Sequence, residues 1–352
     1  MVTRKDVAVL AGVSVTAVSR VVNNSGYVAE KKRAAILKAI EEVGYRPSPV
    51  AMAAQKRFTY QLLFYNKDLS NGFTIEMYRG MVDYAALHGF MVLLSGTWDI
   101  SKIRAMQVDG IIFPNEVILQ VYSQTIDNRM FLPIVCASYG TSQKRPKRIP
   151  LIESDTHAAM ELLIDYLFEK GHTQIAFATP IPVDSGNSRG IAYTNKLLPI
   201  HGKEINDYIF VSDMSPLQFR LHEEDYYQSG EQIASEILAS DKTITAVICF
   251  NDKLAMGMIN YFNRVGVRVP QDISVAGIDG LDIGSYTHPK LTTVSLSAFE
   301  QGCECVRTLI GLISGEKVKT RTSIPIRLIE RESVADLKAC VTPQVAEAGS
   351  GS

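Results

Sequence analysis

Two groups of residues have types and spacings that could do chemistry, and in both the chemistry is recognition. The first lies in VSVTAVSRVVN (13–23). On a helix, Thr16, Ser19 and Arg20 share one face, with Val15 at its edge. Arg can bond a guanine bidentately, and a Val or the Thr methyl can meet a thymine methyl. The Ser19 and Thr16 hydroxyls can hold phosphates. The second group is scattered, but each member follows an apolar run. Asn251 and Asp252 follow AVICF, Asp279 follows SVAGI, Asn71 and Phe73 follow LLFYNKDLS, and Arg189 ends the loop after QIAFAT. Paired donors and acceptors suit sugar hydroxyls, and an aromatic face suits the C–H surface of a sugar ring. Each residue also has a plainer reading. Asn251 and Asp252 can cap a helix, Asp279 can serve a turn, Arg189 can be a surface charge and Phe73 can be core.

Catalytic and metal-binding patterns are missing. No G-x-G-x-x-G follows the first strand run, and there is no Walker A or G-x-S-x-G. The five cysteines form no C-x-x-C pair, and Cys303-Glu-Cys305 has no neighbouring His or Cys. His172 in KGHTQ reads as a structural hydrogen-bonding residue. No cofactor, metal or enzymatic activity is expected.

The elements that position the first group are helical. Residues 1–43 show only helical periodicity. Arg4–Ala11 predicts a first helix, Gly12 a turn and Ser14 the N-cap of a second helix. In EKKRAAILKAIEEVGY, Ala34, Leu37, Ile40 and Val43 suggest the packed stripe of a third helix, with Ile36 at its edge and Gly44 as C-cap. A second helix after a glycine turn is the layout that enters the DNA major groove. Charge agrees. Residues 1–58 carry ten Lys/Arg against four Asp/Glu, a net of +6, and the remainder carries 26 against 33, a net of −7. A basic head on an acidic body suggests a polyanion partner for the head.

The second group sits on a different pattern. After Phe58, apolar runs at 60–65, 90–95, 110–114, 133–138, 174–179, 208–212, 245–250 and 273–278 alternate with helical stretches at 74–88, 156–170, 227–240 and 252–265. That alternation predicts parallel strands covered on both faces. One large sheet, a barrel or two lobes would all accommodate it. The polar segment 139–157 and the late runs 291–296 and 323–329 favour two lobes. The start MVTRKDVAVL lacks a signal-peptide core, and no apolar stretch approaches the ~18 residues of a membrane span, so a cytoplasmic protein is expected.

RKDVAVLAGVSVTAVSRVVNNSGYVAEKKRAAILKAIEEVGYRPSPVA resembles the DNA-binding head of the lactose/galactose-repressor family of bacterial transcription factors. VDGIIF, LFEKGHTQIAF, FNDKLAMGMI, VRVPQDISVAGIDG and PKLTTVSL follow in that family's order, so the likeness spans roughly residues 3–334. It implies an α/β chain with an all-α helix-turn-helix head at 1–46 and a hinge at 47–58. A two-lobed, doubly wound, periplasmic-binding-protein-like body follows at 59–334. The N-lobe is expected at about 59–155 and 289–321, and the C-lobe at about 156–288 and 322–334. Residues 335–352 are expected to be a disordered tail. The implied protein is a homodimeric repressor of a near-palindromic operator in double-stranded DNA, controlled by a small effector, a sugar by expectation. A sugar-binding transport protein without DNA function is the alternative.

The resemblance also implies residues. Thr3, Val15, Thr16, Ser19, Arg20, Asn23 and Tyr45 become DNA contacts in the head, with Met52 and Ala54 in the hinge. Asn71, Phe73, Arg189, Tyr227, Asn251 and Asp279 become effector contacts. The chain departs from the family at several of these places. Ala54 stands where the family has a leucine lever, and an alanine can pry base steps apart only poorly. Gly280 replaces the second Asp of an Asp pair, Thr74 replaces an aromatic, and Ala192 replaces a glycine. Asp225 occupies an aromatic position, with Tyr226 or Tyr227 able to take its place.

Overall fold

The computed structural model describes residues 3–22, 26–43, 45, 58–67, 71–99, 106–116, 118–119, 132–139, 149–183, 187–213 and 225–338. The chain divides into two compact units, Met1–Thr59 and Tyr60–Ser352. Asn23, Gly44, Met52 and Ala54 lie outside the described residues.

In the first unit, α1 is Arg4–Ala11, α2 is Val15–Val22 and α3 is Glu30–Val43. Gly12 adopts φ +63°, the left-handed conformation that only glycine enters cheaply. Val13 N–H then reaches back to Ala8 O at 3.0 Å and closes α1. Ser14 Oγ accepts from Ala17 N–H at 3.2 Å and caps α2. Val7, Ala8, Val18, Val21, Ile36 and Ala39 form the core of this unit. The stripe of α3 differs from the expected one. Ile36 and Ala39 are buried, Ile40 and Val43 pack beside them, and Leu37 is 52% exposed. Positions 36, 39, 40 and 43 follow i, i+3, i+4, i+7, so the helix is rotated by one residue from the Leu37-centred reading.

The second unit contains two six-stranded sheets. In the first, β1 (Gln61–Tyr65), β2 (Met91–Ser95), β3 (Gly110–Phe113), β4 (Ile134–Ser138) and β5 (Leu151–Ser154) join β11 (Arg321–Ile324) in the order β11-β5-β4-β3-β1-β2. In the second, β6 (Ile175–Thr179), β7 (Ile209–Val211), β8 (Ala246–Cys249), β9 (Ser274–Asp279), β10 (Thr292–Ser295) and β12 (Arg327–Ile329) run β12-β10-β9-β8-β6-β7. All pairings are parallel except β10 with β12. The helices are α4 (Gly72–Leu87), α5 (Thr156–Glu169), α6 (Ser188–His201), α7 (Tyr226–Ala239), α8 (Asp252–Val265) and α9 (Ala298–Ser314). Alternate strand residues face opposite layers. Leu62 and Phe64 pack with Met77 and Met81 of α4, whereas Leu63 and Tyr65 pack with Ile111 and Phe113 on the other face.

The lobe boundaries lie later than the resemblance implied. β10, expected in the N-lobe, pairs with β9 and belongs to the C-lobe sheet. The run SIPIRLI is two strands, because Pro325 cannot donate to a ladder. Ile324 closes β11 in the N-lobe sheet, and Arg327 opens β12 in the C-lobe sheet. The segment read as an irregular crossing contains β5, whose four residues are too few to show a period. Arg321 on β11 forms a bidentate pair with buried Glu153 of β5. The expected tail also begins later. Ala335 N–H donates to Ser274 Oγ and Leu337 N–H to Lys170 O, each at 2.9 Å. Residues 335–338 are therefore part of the body.

Each lobe contains one close helix crossing built on paired glycines. A Cβ on Gly80 would overlap the carbonyl of Phe299, and one on Gly302 the carbonyl of Met77, where α4 meets α9. Gly230 and Gly257 do the same where α7 meets α8.

Candidate functional site

The outer face of α2 is the first site. Val15, Thr16 and Arg20 are exposed and Ser19 is half-buried, while Val18 and Val21 turn inward. The stem of Arg20 lies 3.6 Å from the Cβ position of Gly26. Thr3 spends its hydroxyl and backbone N–H on Asp6 Oδ2, at 2.8 and 2.7 Å, which fixes the first turn of α1. These bonds hold the Asp6 carboxyl below its ordinary pKa. Tyr45, expected at DNA, is only 8% exposed and packs in the head core. Its hydroxyl accepts from Arg4 Nε at 3.2 Å.

The second site lies between the sheets of the body. Each strand order reverses once, between β1 and β3 and between β6 and β8, and ligands bind outside the strand carboxyl ends at such points. Asn71 caps α4, its Oδ1 accepting from Phe73 N–H at 3.0 Å. Phe73 is buried with its ring centroid 5.6 Å from that of Tyr139, which follows β4. Leu281, from the loop after β9, comes within 3.4 Å of the Cβ position of Gly72, so the lobes meet at this edge.

The C-lobe supplies the charges. Arg189, in the first turn of α6, places its guanidinium 4.3 Å from the centroid of the Phe250 ring. Its Nη2 donates to Asp279 Oδ1 at 3.4 Å, while its buried Nε has no protein acceptor among the described residues. Burial lowers the Arg189 pKa and pushes the Asp279 carboxyl up to about 8, although each favours the charged form of the other. Asp279 ends β9 with φ +146°, a conformation that L-residues rarely adopt. Asp252 holds the turn that follows Asp279. Wholly buried, Asp252 accepts from Leu281 N–H at 2.7 Å and from Thr293 Oγ1, and burial raises its pKa to about 6. Gly280 explains one departure from the resemblance. Its φ is +77°, and a Cβ there would stand 2.5 Å from Ser295 Cα, so a second Asp does not fit this backbone.

The remaining expectations divide. Asn251 is buried and caps α8, its Oδ1 accepting from Leu254 N–H at 2.9 Å, so the plainer cap reading holds for that oxygen. Tyr227 is 42% exposed, with Lys253 Nζ 6.0 Å from its ring centroid. Tyr226, one residue earlier, is the tyrosine whose charge would bear on Arg189. Tyr193 is fully buried, its hydroxyl donating to Ile175 O at 2.7 Å, and belongs to the core. Sequence reasoning missed Tyr139, Phe250 and Glu116. Asp279, Arg189 and Glu116 all act on the Tyr139 hydroxyl, which burial keeps protonated, so this ring stands where the lobes face each other. Glu116, also buried, accepts from Ser138 Oγ. All three follow strand ends, so the rule that selected Asn251 could have selected them. The cleft thus offers acceptors, a forked donor and aromatic faces, a set of groups suited to a small polar ligand.

The chain is similar to known proteins in both units. Residues 3–48 match the model of bacterial regulatory proteins, lacI family, and residues 164–334 match a periplasmic binding protein-like domain. The HTH-type transcriptional repressor PurR of Vibrio parahaemolyticus is 30% identical over 313 residues, covering 84% of this chain and 86% of that protein. The ribose operon repressor of Halalkalibacterium halodurans is 28% identical over 344 residues, covering 95% and 97%. The crystal structure of the Lac repressor dimer bound to operator and the anti-inducer ONPF superposes with a TM-score of 0.74 at 25% identity, covering 95% of this chain and 99% of that one. With a recognition-helix face at one end and a two-lobed cleft in the body, the chain belongs to the lacI family of bacterial regulatory proteins.

Proposed function

We propose that the chain is a transcriptional repressor without catalytic activity, acting in the bacterial cytoplasm at the nucleoid. As a homodimer it binds a near-palindromic operator, and a sugar-class effector in the cleft controls that binding. The carrying observation is the outer face of α2, where Val15, Thr16, Ser19 and Arg20 stand together, within a stretch (residues 1–58) of net charge +6. Two such heads suit two half-sites. In the body, Arg189 and Asp279 grip hydroxyls while Phe73, Tyr139 and Phe250 give aromatic faces. The relative named the ribose operon repressor supports a sugar. The effector acts through its different affinities for the two states of the body. We place the head at 1–46, the hinge at 47–58 and the effector body from 59 onward.

The test is binding to a palindromic duplex across a salt series. A repressor gives a steep negative slope of log affinity against log salt, whereas a sugar-binding transport protein gives none. Calorimetric titration with neutral mono- and disaccharides tests the cleft, and tight binding of an apolar ligand alone would overturn the sugar reading.

A further inference from the structure

We infer that the sugar-class effector carries an oxyanion, a carboxylate or a phosphate, and that Arg189 binds it; this rests on the effector reading of the cleft. Elsewhere in the body, arginines meet carboxylates through two hydrogen bonds. Arg321 bonds Glu153 from Nε and Nη2. Arg264 bonds Glu231 from Nη1 at 3.2 Å and from Nη2 at 2.9 Å. Both of those arginines are about half exposed to water. Arg189 is far more buried, yet it has a single bond, from Nη2 to Asp279 Oδ1 at 3.4 Å. Its buried Nε has no acceptor and its Nη1 makes no hydrogen bond among the described residues. The Phe250 ring covers one face of the guanidinium without supplying an acceptor in its plane. A buried cation held by one long bond is costly, and a second acceptor would offset that cost.

The charges around the pair favour an anion as that acceptor. Burial pushes the Asp279 carboxyl up to about 8, with Asp252 adding to the rise and Arg189 and Lys253 opposing it. Asp279 therefore keeps its proton at neutral pH. Asp252 is committed to Leu281 N–H and Thr293 Oγ1. On the N-lobe side, Tyr139 stays protonated and Glu116 accepts from Ser138 Oγ. A protonated Asp279 beside Arg189 makes two donors with one positive charge. Such a pair suits oxygens that only accept, and the planar fork matches a carboxylate or a phosphate. A neutral hydroxyl can accept one bond but brings no charge. Arg189 also lies in the first turn of α6, whose N-terminal end favours negative charge. The rings of Phe73 and Tyr139 are left for the C–H surface of the sugar that carries the anion.

The experiment titrates the full chain by calorimetry with matched sets of probes. Each set holds a neutral sugar (glucose, galactose or ribose), its sugar acid and its terminal phosphate. In at least one set the acid or the phosphate should bind roughly tenfold or more tightly than the neutral sugar at pH 7, and the tighter of the two identifies the oxyanion. That preference should shrink from pH 7 to pH 9, because Asp279 then loses its proton and repels the anion. Arg189→Gln should bind the neutral and anionic members about equally. Asp279→Asn should keep the preference at pH 7 and lose its decline toward pH 9. Retained binding of a duplex selected from a random pool by the parent shows that each variant is folded. A neutral sugar bound by the parent more tightly than both its acid and its phosphate would overturn the inference and leave the sugar reading intact. So would a parental preference for the anion retained in Arg189→Gln. Binding of no member of any set would instead overturn the sugar-class reading itself.

Discussion

Arg189 and Asp279 stand 90 positions apart in the chain and meet at 3.4 Å, one in the first turn of α6 and the other at the end of β9. Both side chains are about nine-tenths buried, at 12% and 10% exposure. Two buried ionisable groups are costly to assemble, and removing either leaves the other buried without its partner. The presence of such a pair at the carboxyl end of a sheet, against the ring of Phe250, is better explained by a ligand than by stability.

Asp279→Ala should separate the two activities. Removing a partner so that a buried polar group is left unsatisfied costs about 1–3 kcal/mol, so effector affinity should fall by roughly fivefold or more. Operator binding should persist and no longer respond to effector. Calorimetry and a gel-shift titration on one preparation check both halves, and operator binding that still responds normally would remove Asp279 from the cleft contacts.

Arg20→Ala should do the reverse. Operator binding should weaken by about 1–3 kcal/mol and relax at one base position, with effector affinity unchanged. A panel of single-base operator variants reads this directly. A changed effector affinity would mean that the head and the body do not act as separate modules.

The buried carboxyls predict a pH dependence with a definite sign. Asp279 titrates near 8 and Asp252 near 6 in the native chain, both raised from 3.8 by burial. Below 3.8 both states hold the protons. Above it the unfolded chain releases them while the native chain keeps them, so stability falls as pH rises, through about 6 for Asp252 and about 8 for Asp279. Melting temperature should therefore decline from pH 5 to pH 8.5, and Asp279→Asn should flatten the upper half of that decline. A parental curve retained in Asp279→Asn would place the titration elsewhere.

Gly80→Ala should be destabilising by about 1–3 kcal/mol or more, because the new methyl meets the Phe299 carbonyl rather than a side chain that can turn away. The midpoint of urea unfolding measures it. Gly12→Ala should cost through its φ of +63° alone, since among the described residues no atom beyond its chain neighbours lies within 4 Å of its Cβ position. Equal losses with identical native packing at both sites would contradict the crossing argument.

His172 offers a further check. It is buried between three elements, with Nδ1 3.0 Å from Thr245 Oγ1 and Nε2 3.1 Å from Ala335 O. His172→Ala should leave these partners unsatisfied, at about 1–3 kcal/mol, and release the segment after 334. Faster hydrogen exchange at Leu337 N–H, which bonds Lys170 O, would report that release.

The sequence alone determined whatever depends on neighbours a few residues apart. Gly12 and Ser14 set the turn and the cap of the recognition helix, and the apolar runs marked nearly every strand. Residues at strand ends were legible as ligand candidates for the same reason. Only the tertiary structure decided what depends on partners far along the chain. It assigned β10 to the C-lobe, split SIPIRLI between sheets at Pro325 and recovered β5 from a segment without periodicity. It also withdrew Tyr45 into the head core, where Arg4 bonds its hydroxyl, and brought Tyr139 and Phe250 into the cleft. The physical reason is that propensity and capping are local energies, whereas sheet order and the pairing of buried charges are set by long-range packing, to which no short stretch of chain is sensitive.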